Sequence, residues 1–183
     1  MPADIGVFYR FLNPVFIETG MWEGDGIQAA LDAGFQRIIS MDIAQRPIEH
    51  CTMRFRSAPA VALMEGDSAT VLPEVLAAIT DPVTFWLDAH YSGRWGGGGV
   101  NPILVELDTI LFKWSPPPGT VILIDDFRLF SDFTFGPGTL IAITKLFERF
   151  RVDKQRPLDV TFVDGYQERT GNVFPNDIMV AKL

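Results

Sequence analysis

The sequence predicts a single α/β domain of three layers, with helices on both faces of a mostly parallel sheet. Three observations carry this. Apolar runs alternate with helical patterns five times along the chain, those runs are near-continuously apolar, and the last two have no helix between them. Five strand–helix units imply right-handed crossovers and therefore parallel strands. Runs without a polar face belong to strands covered on both sides. Two closing strands without a helix imply a hairpin, and so one antiparallel strand.

The elements follow from hydrophobic period and punctuation. Val15–Glu18 reads as a strand and Gly26–Ala33 as the helix after it. Arg37–Asp42 (RIISMD) is the second strand, and Arg46–Phe55 a helix with Pro47 in its first turn. Val61–Glu65 is the third strand, with a helix over Ala69–Ile79. Val83–Asp88 (VTFWLD) is the fourth, followed by a long loop and a helix over Pro102–Phe112. Thr120–Asp125 (TVILID) is the fifth, with a helix over Gly138–Phe150. Leu158–Val163 and Ile178–Lys182 are the closing strands, with GYQERTGNVFPND between them. No repeat, low-complexity tract or long linker divides the chain, so residues 1–183 read as one domain.

Composition narrows the function classes. Hydrophobic residues make up 48% and charged residues 21%, which is globular. Fifteen Lys plus Arg against 23 Asp plus Glu give a net charge of −8, without the basic patch a duplex needs, so nucleic acid is not an expected partner. Cys51 is the only cysteine, which excludes an internal disulfide and fits a reducing compartment. His50 is adjacent, but neighbours on a helix point about 100° apart, which argues against a Cys–His pair. No apolar run is long enough to span a bilayer and no leader pattern opens the chain, so a cytoplasmic location with no membrane partner is expected.

The chemistry concentrates at the strand ends. VFIETGMWEGDG takes a strand through Glu18 into a turn with Gly20, Gly24 and Gly26, and then into a helix. Backbone N–H groups at such a turn suit a polar ligand. The spacing is G-x-x-x-G-x-G, not the dinucleotide G-x-G-x-x-G, and a carboxylate precedes it, which suits a cationic ligand better than a pyrophosphate. The other strands also end in acids: Asp42, Asp67 just past the third, Asp88, and Asp125 with Asp126. In parallel sheets ligands sit outside these ends. Asp42 could accept from a ribose diol or cap the next helix. Asp67 and Ser68 could meet an adenine edge or cap theirs. Asp88, Asp125 and Asp126 would repel one another unless a hard divalent cation joined them or one served as a cap. His90, two residues beyond Asp88, is a candidate general base or a structural hydrogen-bonding group.

Together, ETGMWEGDG from Glu18, Asp42, Gly66-Asp67-Ser68, the LDAHYSG block from Leu87 and Ile124-Asp125-Asp126 resemble class I S-adenosylmethionine-dependent methyltransferases. Within that class they are similar to a small bacterial LDAHYSGG-type group related to macrocin and catechol O-methyltransferases. The resemblance implies a Rossmann-like, seven-stranded sheet in the order 3-2-1-4-5-7-6, with S-adenosylmethionine (SAM) as cofactor. It implies that Glu18, Gly20 and Gly24 face the methionine part of the cofactor, Asp42 the ribose, and Asp67 with Ser68 the adenine. It further implies magnesium on Asp88, Asp125 and Asp126, and O-methylation of a small molecule or sugar, with Asp88 and His90 at the reacting groups. The stretch Arg94–Asn101, with four consecutive glycines and Trp95, departs from the pattern. Only about 14 residues precede the first strand, too few for an acceptor cap. The acceptor would then be held by the loops Tyr91–Asn101, Phe127–Gly136 and Tyr166–Asn176, or a partner subunit, such as a second copy in a homo-oligomer, would complete the site. Two rival readings are a nicotinamide-dependent oxidoreductase and a non-catalytic binding module of the same fold.

Overall fold

The computed structural model describes residues 5–89, 101–130, 137–167 and 171–183. Its elements are α1 (Ile5–Tyr9), β1 (Val15–Thr19), α2 (Asp25–Ala33), β2 (Arg37–Asp42), α3 (Gln45–Arg54), β3 (Val61–Glu65) and α4 (Ser68–Leu76). They continue as β4 (Val83–Leu87), α5 (Ile103–Asp108), β5 (Val121–Ile124), α6 (Pro137–Lys154), β6 (Asp159–Gln167) and β7 (Asn172–Lys182). The seven strands form one sheet in the order β3-β2-β1-β4-β5-β7-β6. The first five are parallel, and β7 runs antiparallel to both β5 and β6. This is the Rossmann-like three-layer sheet expected from the sequence.

Alternation along each strand divides the core in two. Val15, Ile17, Phe85, Leu87, Ile122 and Ile124 face α4, α5 and α6. Phe16, Ile38, Trp86 and Leu123 face α1, α2 and α3. The same parity sends Glu18 toward the α2 side and Thr19 toward the α4 and α5 side. The two polar residues that end β1 therefore serve opposite faces of the sheet.

Three details depart from the expected elements. A short helix, α1, precedes β1. It has only five residues, too few to hold on propensity, and it persists by packing. Phe8 stacks edge-on against Phe16 at 4.9 Å and Trp86 at 5.1 Å. The helix expected over 102–112 ends as an α-helix at Asp108 and continues as a wider π turn over Thr109–Lys113. The closing hairpin is longer than expected, with strands reaching Gln167 and starting again at Asn172, and a register shift between Val163 and Gly165. Much of the segment expected as loop is thus ladder. Phe127–Phe130 forms a 3₁₀ turn at the end of β5.

Phe8 is fully buried between two aromatic rings. Phe8→Ala should lower stability by about 3–5 kcal/mol, read as the shift in the urea midpoint. A loss below about 1 kcal/mol would mean that α1 is not part of the core.

Candidate functional site

The turn after β1 is shaped by what lies beneath it. Gly20 (φ 85°), Trp22 (φ 47°) and Gly24 (φ 83°) take left-handed backbone. A Cβ on Gly20 would come within 2.5 Å of the Asp88 carbonyl oxygen, so β1 and β4 can approach only with glycine there. A Cβ on Gly26, in the first turn of α2, would lie 1.8 Å from Glu18 Oε1. The Glu18 side chain therefore occupies the space a larger residue would need. Gly24 is constrained by packing, since its Cβ would meet the Phe55 ring and Cys51 Sγ.

Glu18 is 2% exposed. Parallel register sets Ser40 of β2 beside it, and Ser40 Oγ donates to Glu18 Oε2. Burial is the main cause that pushes its carboxyl up to about 8. The Ser40 hydrogen bond opposes this, while Asp88, Asp42 and Asp25 reinforce it. At neutral pH Glu18 is largely protonated and supports the turn from below.

Asp42 ends β2 and ties it to that turn. Its Oδ2 accepts from Trp22 N–H at 3.2 Å and its Oδ1 from Ala44 N–H at 2.8 Å. Burial raises its pKa against four backbone hydrogen bonds. The Ala44 bond closes a local turn ahead of α3; the N-cap of that helix is Ala44 itself, without a side-chain cap, so Asp42 does not cap it. Asp67 does cap α4, accepting from Ala69 N–H at 2.9 Å, and Ser68 is buried beside it.

On the other face of β1 lies a residue that motif reading passed over. Glu106, in α5, is 1% exposed. Burial pushes its carboxyl up to about 7. The Ser68 and Thr19 hydroxyls pull it down, and Asp67 and Asp88 push it up. Thr19 Oγ1 and Glu106 Oε1 nevertheless miss hydrogen-bond geometry, and each is buried without a partner. A sequence signal existed: Ile103, Glu106, Leu107 and Ile110 share one helical face, so the acid sits on an apolar stripe.

The remaining acids converge differently from expectation. Among the described residues, ligand atoms of Asp125, Asp126 and Asp177 lie within 4.8 Å of one another. Asp177 comes from β7 and was hidden in a segment that reads as loop. Asp88 is not one of the three, although its charge, after burial, is the strongest influence raising Asp125. Arg128 reaches into the group. Its Nη1 lies 2.7 Å from Asp126 Oδ1, an ion pair without hydrogen-bond alignment, and it also donates to Asp177 Oδ2. Burial raises Asp177 against the pull of Arg128.

Two tests of fit follow. For an adenosyl cofactor, the Cβ-free turn at Gly20 and the orphaned atoms Thr19 Oγ1 and Glu106 Oε1 are what a ligand-lined crevice presents. The residues fit. For a divalent metal, carboxylate oxygens are the right donors, but Arg128 already engages two of the three converging acids. The cluster as built suits a guanidinium. His90 and Tyr91–Val100, with Trp95, lie outside the described residues, as do residues 131–136 and 168–170. Cys51 is buried and its thiol is pushed up to about 12, chiefly by burial, while His50 on α3 is exposed, so no Cys–His pair forms. Among the described residues no helix is long and apolar enough to cross a membrane.

Comparison with known proteins bears on the fold. No protein-family model matches the chain, and no curated protein matches its sequence. Solved structures do match. The O-methyltransferase TomG from Streptomyces achromogenes, involved in tomaymycin synthesis and solved with SAM, is 14% identical. That match has a TM-score of 0.65 over 98% of this chain and 77% of TomG. An O-methyltransferase from Bacillus cereus, solved with S-adenosylhomocysteine (SAH), is 15% identical with a TM-score of 0.61 over 98% and 78%. SMU.1697c from Streptococcus mutans, solved with SAH, is 16% identical with a TM-score of 0.63 over 100% and 98%. At these identities the likeness establishes a shared fold.

Glu18 and Glu106 both hold protons in the folded state that the unfolded chain releases near pH 4.3. Their stabilising effect is complete below that pH and is lost as pH rises through about 7 for Glu106 and about 8 for Glu18. Thermal unfolding should show Tm falling across this range. Both carboxyls contribute to the fall up to about pH 7 and only Glu18 beyond it, so Glu106→Gln should flatten the fall below about 7, while Glu18→Gln should flatten it there and abolish the stretch from about 7 to about 8. An unchanged slope in Glu18→Gln would show that its carboxyl is not held protonated.

Proposed function

We propose that this chain is a SAM-dependent methyltransferase acting on an oxygen of a small molecule or sugar. The observation that carries the reading is the turn from Thr19 to Gly26: free of Cβ atoms where it meets β4, seated over the buried carboxyl of Glu18, and tied to β2 by Asp42. The fold shared with structures solved with SAM or SAH supports the choice of cofactor, and the O-methyltransferases among them support oxygen as the acceptor atom.

SAM supplies an electrophilic methyl group when bound. The residues of this chain would then bind and orient. Asp42 ends β2, and its carboxylate, already holding backbone N–H groups of the turn and of the chain entering α3, would also accept from the ribose hydroxyls. Ser68 and Asp67 border the adenine side, with Glu106 below them. Gly20 lets the backbone approach the methionine part. Methyl transfer between neutralising partners develops little new charge, so in-line positioning of the acceptor oxygen is the main requirement. Asp88 lies just past β4, within electrostatic reach of Glu18, Glu106 and Asp125. His90 remains the proposed proton acceptor on sequence grounds. The −8 net charge favours a neutral or cationic small acceptor over nucleic acid, and supports an intracellular, cytoplasmic setting only through the lone buried thiol.

Calorimetric titration with SAH should give saturable binding. Asp42→Ala should weaken it by about 1–3 kcal/mol, and Asp42→Asn, which keeps one acceptor oxygen, by less. Binding of NADH without SAH would overturn the reading in favour of an oxidoreductase. SAH binding with no methyl transfer to a panel of catechols, sugars and hydroxylated metabolites would favour the binding-module reading.

A further inference from the structure

The acids beyond β5 and β7 carry an inference that concerns the same site. Asp126 takes left-handed backbone (φ 51°) directly after β5. That sharp turn folds the chain into the 3₁₀ segment, with Leu129 N–H donating to the Asp126 carbonyl at 2.9 Å. It brings Arg128 back over the strand ends. There the Arg128 backbone N–H donates to Asp177 Oδ1 at 3.2 Å, while its guanidinium donates to Asp177 Oδ2 and pairs with Asp126 Oδ1. Both oxygens of Asp177, which is fully buried, are thus engaged by one residue. The guanidinium also lies over the Phe174 ring, its Cζ 4.4 Å from the ring centre. β7 therefore grips Arg128 through an acid and an aromatic face, and β5 grips it through a second acid.

We propose that Arg128 is the resident cation of this acid cluster, a positioning residue that takes the place a divalent metal would fill, so that the protein works without a metal at the ends of β5 and β7. Three features support this over a metal that merely shares the site. The guanidinium is fixed from several sides, which a solvent-facing arginine is not. Its positive charge sits against the same oxygens that an ion would need, so the two cations would repel at contact distance. With Asp126 and Asp177 engaged, only Asp125 of the converging three is left, facing Asp88. The catalytic meaning of the inference rests on the methyl-transfer reading, but the metal measurement stands without it.

The test is titration of chelator-treated protein with Mg²⁺ and Mn²⁺, followed by calorimetry and by the Mn²⁺ electron paramagnetic resonance signal. Wild-type protein should show no saturable site below about 1 mM, and its SAH affinity should be unchanged by chelator. Arg128→Gln should unfold at lower temperature and gain a Mn²⁺ site at least roughly tenfold tighter than anything in wild type, lost again in Arg128→Gln/Asp126→Asn. Arg128→Lys, which keeps the charge, should behave as wild type toward metal. A purely structural arginine would lower Tm without creating that metal site. Submillimolar Mg²⁺ or Mn²⁺ binding by wild type, abolished by Asp126→Asn, would overturn the proposal. Absence of a gained site in Arg128→Gln would do the same. If that variant does not fold, the wild-type titration alone decides. Failure of wild type to bind SAH would instead count against the methyl-transfer reading and leave the metal result intact.

Discussion

Glu18 ends β1 with a carboxyl almost wholly removed from water, and the crevice is arranged around that group. A buried carboxylate is costly unless it is paired, so the proton stays on and the side chain becomes a compact polar strut. Ser40, delivered by parallel register, holds one of its oxygens. The other lies where a Cβ of residue 26 would be, so α2 can start at that height only with glycine in its first turn. The left-handed turn from Gly20 to Gly24 adds two constraints of its own, the Asp88 carbonyl against Gly20 and the Phe55 ring with Cys51 against Gly24.

Depth distinguishes this crevice from a row of acids at a sheet edge. Glu18 lies on the α2 face and Glu106 on the α5 face, and the two share Asp88 as a neighbour. Neither gains a cationic partner, and both answer burial by keeping a proton. Asp126 and Asp177 resolve the same problem in another way, through Arg128. The molecule thus neutralises some of its acids by protonation beneath the glycine turn and on the α5 face, and others by a guanidinium on the β7 side.

Much of the architecture is legible in the sequence, because strands buried on both faces leave continuous apolar runs and glycines mark the turns. The strand ends are legible for the same reason, and with them Glu18, Asp42, Asp88, Asp125 and Asp126. What the runs do not encode is where side chains go across elements. Glu18 looks like a ligand-facing carboxylate in the linear motif. Only the pairing of Glu18 with Ser40 and the height of Gly26 turn it inward. Glu106 escapes a search of strand ends because it sits on a helix, where only its place on an apolar stripe marks it. Asp177 hides because a solvated edge hairpin loses the alternation that marks a strand: β6 is largely exposed, and it bulges between Val163 and Gly165. Arg128 hides because it lies in a short turn after β5 that carries no period. α1 escapes for a different reason, being too short to leave a period and held by the rings it packs on.

The central claim is that a buried carboxyl sets the height of the glycine turn and, through it, the crevice proposed to take SAM. The most direct measurement is a double-mutant cycle on SAH affinity between positions 18 and 26. Gly26→Ala alone should lose most binding, because the new methyl meets a carboxyl that Ser40 holds in place. Removing that carboxyl with Glu18→Ala in the same chain should restore part of the loss, giving a coupling on the order of 1–3 kcal/mol. Wild-type affinity in Gly26→Ala, or strictly additive losses in the double variant, would contradict the account.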